Sequence, residues 1–387
     1  MPQFKFNTVS RADIERSPGG NTMIQAIDYD GPHHQLITGV PGSGKTTVTI
    51  MRAERLVNQE KTIKIFTYQN LLRTSLKNIA IDDLKNKIFG FYNWYFKIRR
   101  FGYLNPSDTA NEMLEKMKAE PVIDEILIDE GQDFEERIFQ SLLPKCEKMS
   151  VGADNAQKVH HRGIRANQIK QELEKNKATI QTRLEYNYRN TYEIYNFARY
   201  FMPDNERVNR KFSLKLMPKG TGNKPVVMQA LSEEEKFNRL QVILEGAGDK
   251  NIAVLLYHQS EVNFYCDRIR EMGLSCSAHH NKRQSGTEIE NILITTYKSA
   301  KGLEFQVVIM PDMHTAMNSY EKTSEHYYIG CTRSKESLFL LFTGENLPSY
   351  FDDFDENSYE FNPSDGSTET KVEIESESDT NNDDLPF

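Results

Sequence analysis

The sequence predicts an α/β chain of two lobes, each organised on a parallel β-sheet, followed by an acidic tail. Three observations carry this reading. Short runs rich in Ile, Val and Leu, such as HHQLITGV, IKIFTY, DEILIDE, IAVLLYH, NILITTYK and QVVIMPDM, alternate with longer polar or amphipathic stretches. That is the rhythm of βαβ units, whose strands are covered on both faces. A glycine-rich turn joins an apolar run to a helical one at residues 39–46, and after Gly344 periodicity gives way to Asp, Glu, Ser, Thr and Asn, a composition that buries too little apolar surface to offset the entropy of ordering.

Length and composition agree with this. A chain of 387 residues with 38% hydrophobic and 27% charged content is long enough for two globular domains. Its apolar runs fall short of the roughly 20 residues a membrane span needs, and the N-terminus MPQFKFNTVSRADIER lacks the apolar core of a signal peptide. A cytoplasmic location without membrane contact is the expectation. Cys146, Cys266, Cys276 and Cys331 are scattered with no CxxC pair, which points to buried free thiols instead of a zinc site or a disulfide framework. The formal charge of −8 divides unevenly: residues 345–387 hold 14 acidic groups against one lysine, whereas the rest carries 47 basic and 42 acidic groups. The body is therefore mildly basic and able to host a phosphate-binding groove.

The first chemical motif is Gly39-Val40-Pro41-Gly42-Ser43-Gly44-Lys45-Thr46, between the run QLIT and a helical stretch. This is the context of a phosphate loop. Gly39, Gly42 and Gly44, with Ser43, let backbone N–H groups turn toward phosphate oxygens, Lys45 reaches the outer phosphates, the Thr46 hydroxyl ligates Mg²⁺, and Thr47 next to it belongs to the nucleotide-binding set. The apolar run Ile126-Leu127-Ile128 ends in Asp129 and Glu130, where Asp129 would hold the metal and Glu130 would deprotonate the attacking water. Together these predict a nucleoside-triphosphate hydrolase using ATP and Mg²⁺.

The residues beyond Glu130 narrow the expectation. Asp129 to Phe134 reads DEGQDF, and with it come Thr67-Tyr68-Gln69-Asn70, Ala153-Asp154-Asn155-Ala156-Gln157, Asn187-Tyr188-Arg189-Asn190, the segment TYKSAKGLEF (296–305) and the segment YIGCTRS (328–334). In this order they resemble the motifs of the UvrD/Rep/PcrA branch of superfamily 1 helicases. The resemblance implies two RecA-like lobes: a phosphate-loop lobe over residues 1–180, an arginine-supplying lobe over 181–345, and a disordered tail over 346–387. It implies that Gln157 couples the γ-phosphate to the nucleic-acid groove, that Tyr188 stacks on adenine, that Gly302 and Glu304 meet the ribose, and that Arg189 and Arg333 serve as arginine fingers. Tyr68 is the leading base-stacking residue, with Asn70, Tyr92, His160 and Lys298 as further strand contacts; the run FGFYNWYF reads equally as a buried aromatic cluster.

The pattern also departs from the family. The adenine-reading glutamine lacks a clean match, Gln25 lying two places off its spacing; Lys298 stands where histidine is common; and only about thirty residues separate GFYNW from the acidic strand, so the large inserted subdomains of bigger relatives have no room here. The expected activity is ATP-driven translocation on single-stranded DNA with 3′→5′ polarity, with RNA as a possible track, in bacterial replication, repair or a mobile-element or defence setting. The other class weighed is a nucleotide-switched ATPase that binds or displaces a protein such as RNA polymerase. Finally, Asp383-Asp384-Leu385-Pro386-Phe387 resembles the tail tip of bacterial single-stranded DNA-binding protein, which implies partners that recognise that tip.

Overall fold

The computed structural model describes residues 2–98, 108–158, 162–202, 204–279, 289–313 and 320–364. Its backbone separates into two compact α/β units, one over residues 6–188 and one that joins residues up to Lys5 to the chain from Arg189 onward. Each has an all-parallel sheet, as expected of two RecA-like lobes.

The first unit holds β1 (His34–Gly39), β2 (Ile63–Thr67), β3 (Ile88–Gly90), β4 (Ile123–Ile128), β5 (Cys146–Ala153) and β6 (Thr179–Leu184) in the order β3-β2-β4-β5-β1-β6. Because β4, β5 and β1 are neighbours, the residues just beyond each of them meet at one carboxyl edge of the sheet, where open parallel sheets bind ligands. Helices on both faces bury apolar sets such as Phe66, Phe91, Trp94, Phe134 and Phe139 on one side and Ile50, Leu72, Leu76 and Leu127 on the other. Below the carboxyl edge, Arg52 of the Lys45–Asn58 helix is fully buried. It forks onto Glu125 at 2.7 and 2.8 Å and donates to the carbonyls of Ile27 and Tyr29 at 3.0 and 2.9 Å. The Ser150 hydroxyl adds a third bond to Glu125 at 2.5 Å. A buried charge is tolerated only when paired and hydrogen-bonded in this way, and here the pair ties the helix before β1 to the helix after it.

The second unit holds β7 (Val226–Ala230), β8 (Ile252–Leu256), β9 (Ser277–Ala278), β10 (Ile292–Thr296), β11 (Phe305–Met310), β12 (Ser334–Thr343) and β13 (Glu360–Asn362), ordered β13-β7-β12-β11-β8-β10-β9. Strands β8 and β10 are buried throughout, which is why they read as uninterrupted apolar runs.

Three boundaries differ from expectation. The first unit extends to Tyr188 instead of ending near residue 180, because β6 pairs along its whole length with β1 and Tyr188 N–H bonds to the Gly42 carbonyl at 2.9 Å. The N-terminal residues belong to the second unit: Phe4 N–H bonds to the Ile289 carbonyl at 2.8 Å and the Phe4 ring packs edge-on to Phe305. The second unit also continues past residue 345. Phe351, Phe354 and Tyr359 pack around Phe197 and Phe201, and β13 pairs with β7. The acidic composition of this stretch conceals four buried aromatic rings, those of Tyr350, Phe351, Phe354 and Tyr359. All four cysteines are buried and free, and among the described residues no helix is long and apolar enough to cross a membrane.

This packing has two consequences for stability. A chain ending at Gly344 should unfold about 10 °C or more below one ending at Ser364, since burying each such ring contributes about 1.5–3 kcal/mol; equal melting temperatures in a thermal scan would contradict the packing. His34 is fully buried, its Nδ1 accepting the Met149 N–H at 3.0 Å, and burial, aided by Lys177, lowers its pKa from 6.5 to about 4. The unfolded chain therefore binds a proton that the folded chain refuses between those values, so His34's contribution is complete above pH 6.5 and is lost as the pH falls toward 4. Urea titrations across that window should show a shallower pH dependence for His34→Asn than for the natural chain.

Candidate nucleotide site

The phosphate loop is shaped by backbone geometry before any side chain acts. Gly42 and Gly44 take left-handed angles of 68° and 86°, open to glycine without cost. A Cβ at Gly39 would fall 2.4 Å from Ser43 Oγ and 2.7 Å from the Leu184 carbonyl, so the strand-to-loop junction accepts no side chain. Lys45 opens the adjoining helix almost wholly buried. Its ammonium donates to the Gly39 and Val40 carbonyls at 3.0 and 2.9 Å and lies 3.9 Å from Asp154.

Three buried carboxylates, Asp129, Glu130 and Asp154, stand at the ends of β4 and β5 beside this cation's loop. Asp129 accepts from the Thr46 hydroxyl at 2.8 Å. Burial first, and the Glu130 charge second, lift its pKa to about 7, against the opposing pull of Thr46 and Lys45. A divalent cation at Thr46 and Asp129 suits this donor set, because Mg²⁺ uses one or two protein oxygens and completes its shell with phosphate and water; it would also supply the positive charge that Asp129 lacks. Glu130 stands at φ 58°, a left-handed angle that costs a residue with a side chain and concentrates at functional sites. Its carboxylate accepts from Gln132 Nε2 at 2.5 Å, the Gln132 Oε1 accepts the Asp154 N–H at 2.9 Å, and Asp154 accepts from Gln157 Nε2 at 2.7 Å. Glu130, Gln132, Asp154 and Gln157 thus form one chain of hydrogen bonds linking the β4 and β5 ends, with every member buried. In the sequence, Gln132 and Asp154 are visible only as motif letters. Their role as links appears once β4 and β5 are adjacent.

Beside the loop lies a cavity of about 170 Å³ whose lining includes Gly19, Thr22, Met23, Ser43, Tyr186 and Tyr188. Tyr188 is buried against Tyr186, the rings stacked at 6.1 Å, and its hydroxyl donates to the Pro18 carbonyl. Gly19, at φ 75°, approaches so closely that a Cβ there would lie 2.4 Å from the Tyr186 ring. Gln25 is exposed and does not line this cavity. Tyr186, half-buried in front of Tyr188, is a lining residue that no sequence motif marks.

In the second unit, Arg189 donates to Glu304 at 3.3 Å and to the Thr332 carbonyl at 3.2 Å, while Lys335 reaches the other Glu304 oxygen at 3.2 Å. Burial raises the Glu304 pKa, but Lys335 and Arg189 outweigh it and hold the carboxyl at about 2. Lys335, which lies just outside the YIGCTRS motif, completes this cluster. Arg333 sits deeper, 1% exposed, with its guanidinium on the Ile329 and Leu303 carbonyls at 3.1 and 3.3 Å. Gly302 takes φ 85° just before Leu303.

The residues expected to touch nucleic acid divide. Tyr68 and Tyr92 are half-buried at the rim of the aromatic core, 5.8 Å apart edge to face, with the Tyr92 hydroxyl on Glu135 at 3.0 Å. Phe91, Trp94 and Tyr95 lie in the core itself. Asn70 accepts from Asn93 Nδ2 at 3.3 Å, and Lys298 is exposed. His160 and the tip residues Asp383, Asp384, Leu385, Pro386 and Phe387 lie outside the described residues.

Residues 35–342 match a family model described as the viral superfamily 1 RNA helicase core domain. The chain belongs to this superfamily 1 helicase family, whose members are nucleotide-hydrolysing enzymes acting on nucleic acid. No match is found among curated proteins. Among solved structures, the C-terminal domain of a possible DNA helicase from Lactobacillus plantarum WCFS1 is similar at 18% identity and a TM-score of 0.36, over 45% of this chain and 98% of that one.

Lys45→Ala should lose nucleotide binding by about tenfold or more, whereas Glu130→Gln should keep binding and lose turnover by about 10²–10⁴, the usual contribution of a positioned base. Gln132→Ala should lower turnover with little effect on binding. Fluorescent-nucleotide titration and phosphate release separate these outcomes, and a normal rate in Glu130→Gln would remove Glu130 from the chemistry.

Proposed function

We propose that this superfamily 1 chain is an ATPase stimulated by single-stranded nucleic acid and a translocase along it, with DNA as the preferred track and 3′→5′ polarity. The observation that carries the reading is the buried chain Glu130–Gln132–Asp154–Gln157. It leads away from the water-activating carboxylate through amides that both donate and accept, so a change at one end alters the partner available at the other. Tyr68, two residues from Asn70 at the end of β2, and Tyr92 on the helix after β3 provide half-buried aromatic edges on the same sheet, suited to bases held by stacking at about 1–3 kcal/mol each without sequence reading.

In this reading Thr46 and Asp129 would hold Mg²⁺, which would supply positive charge to offset that of the outer phosphates. Lys45 leaves the Gly39 and Val40 carbonyls for phosphate oxygens, Glu130 takes the proton of the attacking water, and Tyr186 with Tyr188 shapes the base pocket. Arg189, already an exchangeable ion-pair partner of Glu304, which Lys335 shares, is the arginine assigned to the developing phosphoryl charge. Arg333 fixes the Leu303–Glu304 turn through its carbonyl bonds. The preference for DNA and the polarity rest on the likeness of DEGQDF to the UvrD/Rep/PcrA motif; the matched family model carries an RNA helicase description, so both strands belong in the test.

Steady-state hydrolysis should rise at least about tenfold with single-stranded DNA and increase with strand length up to a plateau, because a translocating motor dissociates less often per step on a longer track; Arg189→Ala should lower the plateau by about 10³ or more. Rates measured with no nucleic acid, single-stranded DNA, single-stranded RNA and duplex decide the track. A rate indifferent to strand length would favour a nucleotide switch acting on a protein partner.

A further inference from the structure

Several arginines of the first unit are paired: Arg52 with Glu125, Arg55 with Asp30, Arg137 with Glu135. A cluster of neighbouring cations lacks such partners. Arg73 and Lys77 on the Asn70–Ile79 helix and Lys97 on the Phe91–Ile98 helix have no carboxylate partner among the described residues. Arg73 is held partly out of water, which lowers its pKa. The Lys77 pKa is lowered by burial first and then by the charges of Arg73 and Lys97. Gathering like charges and partly burying them costs energy on both counts.

The surrounding geometry is that of a cradle. A Cβ at Gly90, the last residue of β3, would lie 3.5 Å from Asn93 Nδ2, 3.6 Å from Arg73 Nη1 and 3.8 Å from Asn70 Oδ1. The Asn93 amide is oriented by its bond to Asn70, and the Arg73 guanidinium shares the space beside Gly90 with that amide pair. The half-buried rings of Tyr68 and Tyr92 adjoin this set in the chain, beside Asn70 and Asn93 respectively. Cations in a groove beside aromatic edges are the combination that holds a single strand by its backbone while bases stack, and a guanidinium fork matches two phosphate oxygens.

We infer that Arg73, Lys77 and Lys97, with the Asn70–Asn93 amide pair, form a phosphodiester clamp for the single strand. The clamp touches phosphate alone, reads no base and sets much of the salt dependence of strand binding. This rests on the proposed single-strand function and adds the residues that grip the backbone. It shares no side chain with the Lys45 site, so nucleotide binding and strand grip are separable by mutation.

The test uses the full chain and a fluorescein-labelled oligonucleotide, with anisotropy followed across a salt series. Arg73→Ala should weaken strand binding by about tenfold or more, the effect of losing a charge-assisted contact, and reduce the slope of log affinity against log salt by about 0.7 per phosphate released. Lys97→Ala, on an exposed side chain without described partners, should do the same to a smaller degree, and Arg73→Lys should fall between natural chain and Arg73→Ala. The losses should be alike for oligo-dT, mixed-sequence DNA and RNA, while hydrolysis without strand is unchanged. Unchanged affinity and slope in both Arg73→Ala and Lys97→Ala would overturn the clamp, as would losses confined to one base sequence. Failure of the natural chain's hydrolysis to respond to any strand would instead remove the motor reading, and the binding series would still judge the clamp on its own.

Discussion

The architecture of the first unit depends on one buried cation and the acids arranged against it. Lys45 is enclosed at the end of β1 with backbone carbonyls as its near partners and Asp154 just beyond hydrogen-bonding range. An ammonium so placed is expensive unless its charge is answered, and the answer comes from β4 and β5, which the strand order sets beside β1. The acids in turn are too close to one another to be content without it: Asp129 is pushed toward neutrality by burial and by Glu130. In the proposed reading a phosphate group and a divalent cation would answer these charges together.

The second unit handles charge differently. Arg189 and Lys335 share Glu304 and drive it firmly into its ionised form, so this cluster is satisfied without a ligand. Arg333 is more settled still, each of its nitrogens having an acceptor nearby in the Ile329–Arg333 turn or at Leu303. A guanidinium that is fully buried on carbonyls organises the backbone around it. One that shares a carboxylate with a lysine sits in a more replaceable pairing, because Lys335 would still hold Glu304 if Arg189 left it. The two arginines that look equivalent in sequence, each in a short motif, therefore sit in different surroundings.

How much of this is legible in the sequence depends on how local each signal is. The phosphate loop and the acidic strand end are contiguous in the chain and chemically unusual, so Gly39 to Thr46, Asp129 and Glu130 stand out with a chemistry attached. The βαβ rhythm indicates the two sheets because buried parallel strands are uniformly apolar. Hidden from a linear reading is whatever depends on residues far apart: Arg52 meets Glu125 across 73 positions, Arg73 and Asn93 come together beside Gly90 only through the adjacency of β2 and β3, and Lys335 joins Arg189 at Glu304 through β12. The stretch 345–364 misleads for another reason. Net charge and lost periodicity outweigh four aromatics whose spacing fits no regular helix or strand, since they pack from short 3₁₀ turns and a three-residue strand. Composition measures what a segment exposes on average and is blind to a few well-placed rings.

The distribution of satisfied and unsatisfied groups also gives the first sheet a direction. Toward its amino edge, Arg52, Glu125, Ser150 and the carbonyls of Ile27 and Tyr29 close a network in which every charge has its partners. At the carboxyl edge the local rules are broken repeatedly: Glu130 in a left-handed conformation, Asp129 raised toward neutrality, Arg73 half-buried with no described acid. Natural chains carry such violations where function requires them and compensate elsewhere. The compensation here is visible, since the amino edge fixes the helices on both sides of the phosphate loop and so holds the strained edge in place. The carboxyl ends of β1 and β4 are left short of negative and positive ligand charge respectively, and those of β2 and β3 short of an anion. In the proposed reading, nucleotide and strand phosphates would meet at one sheet edge whose flanking helices stand on one fully paired base.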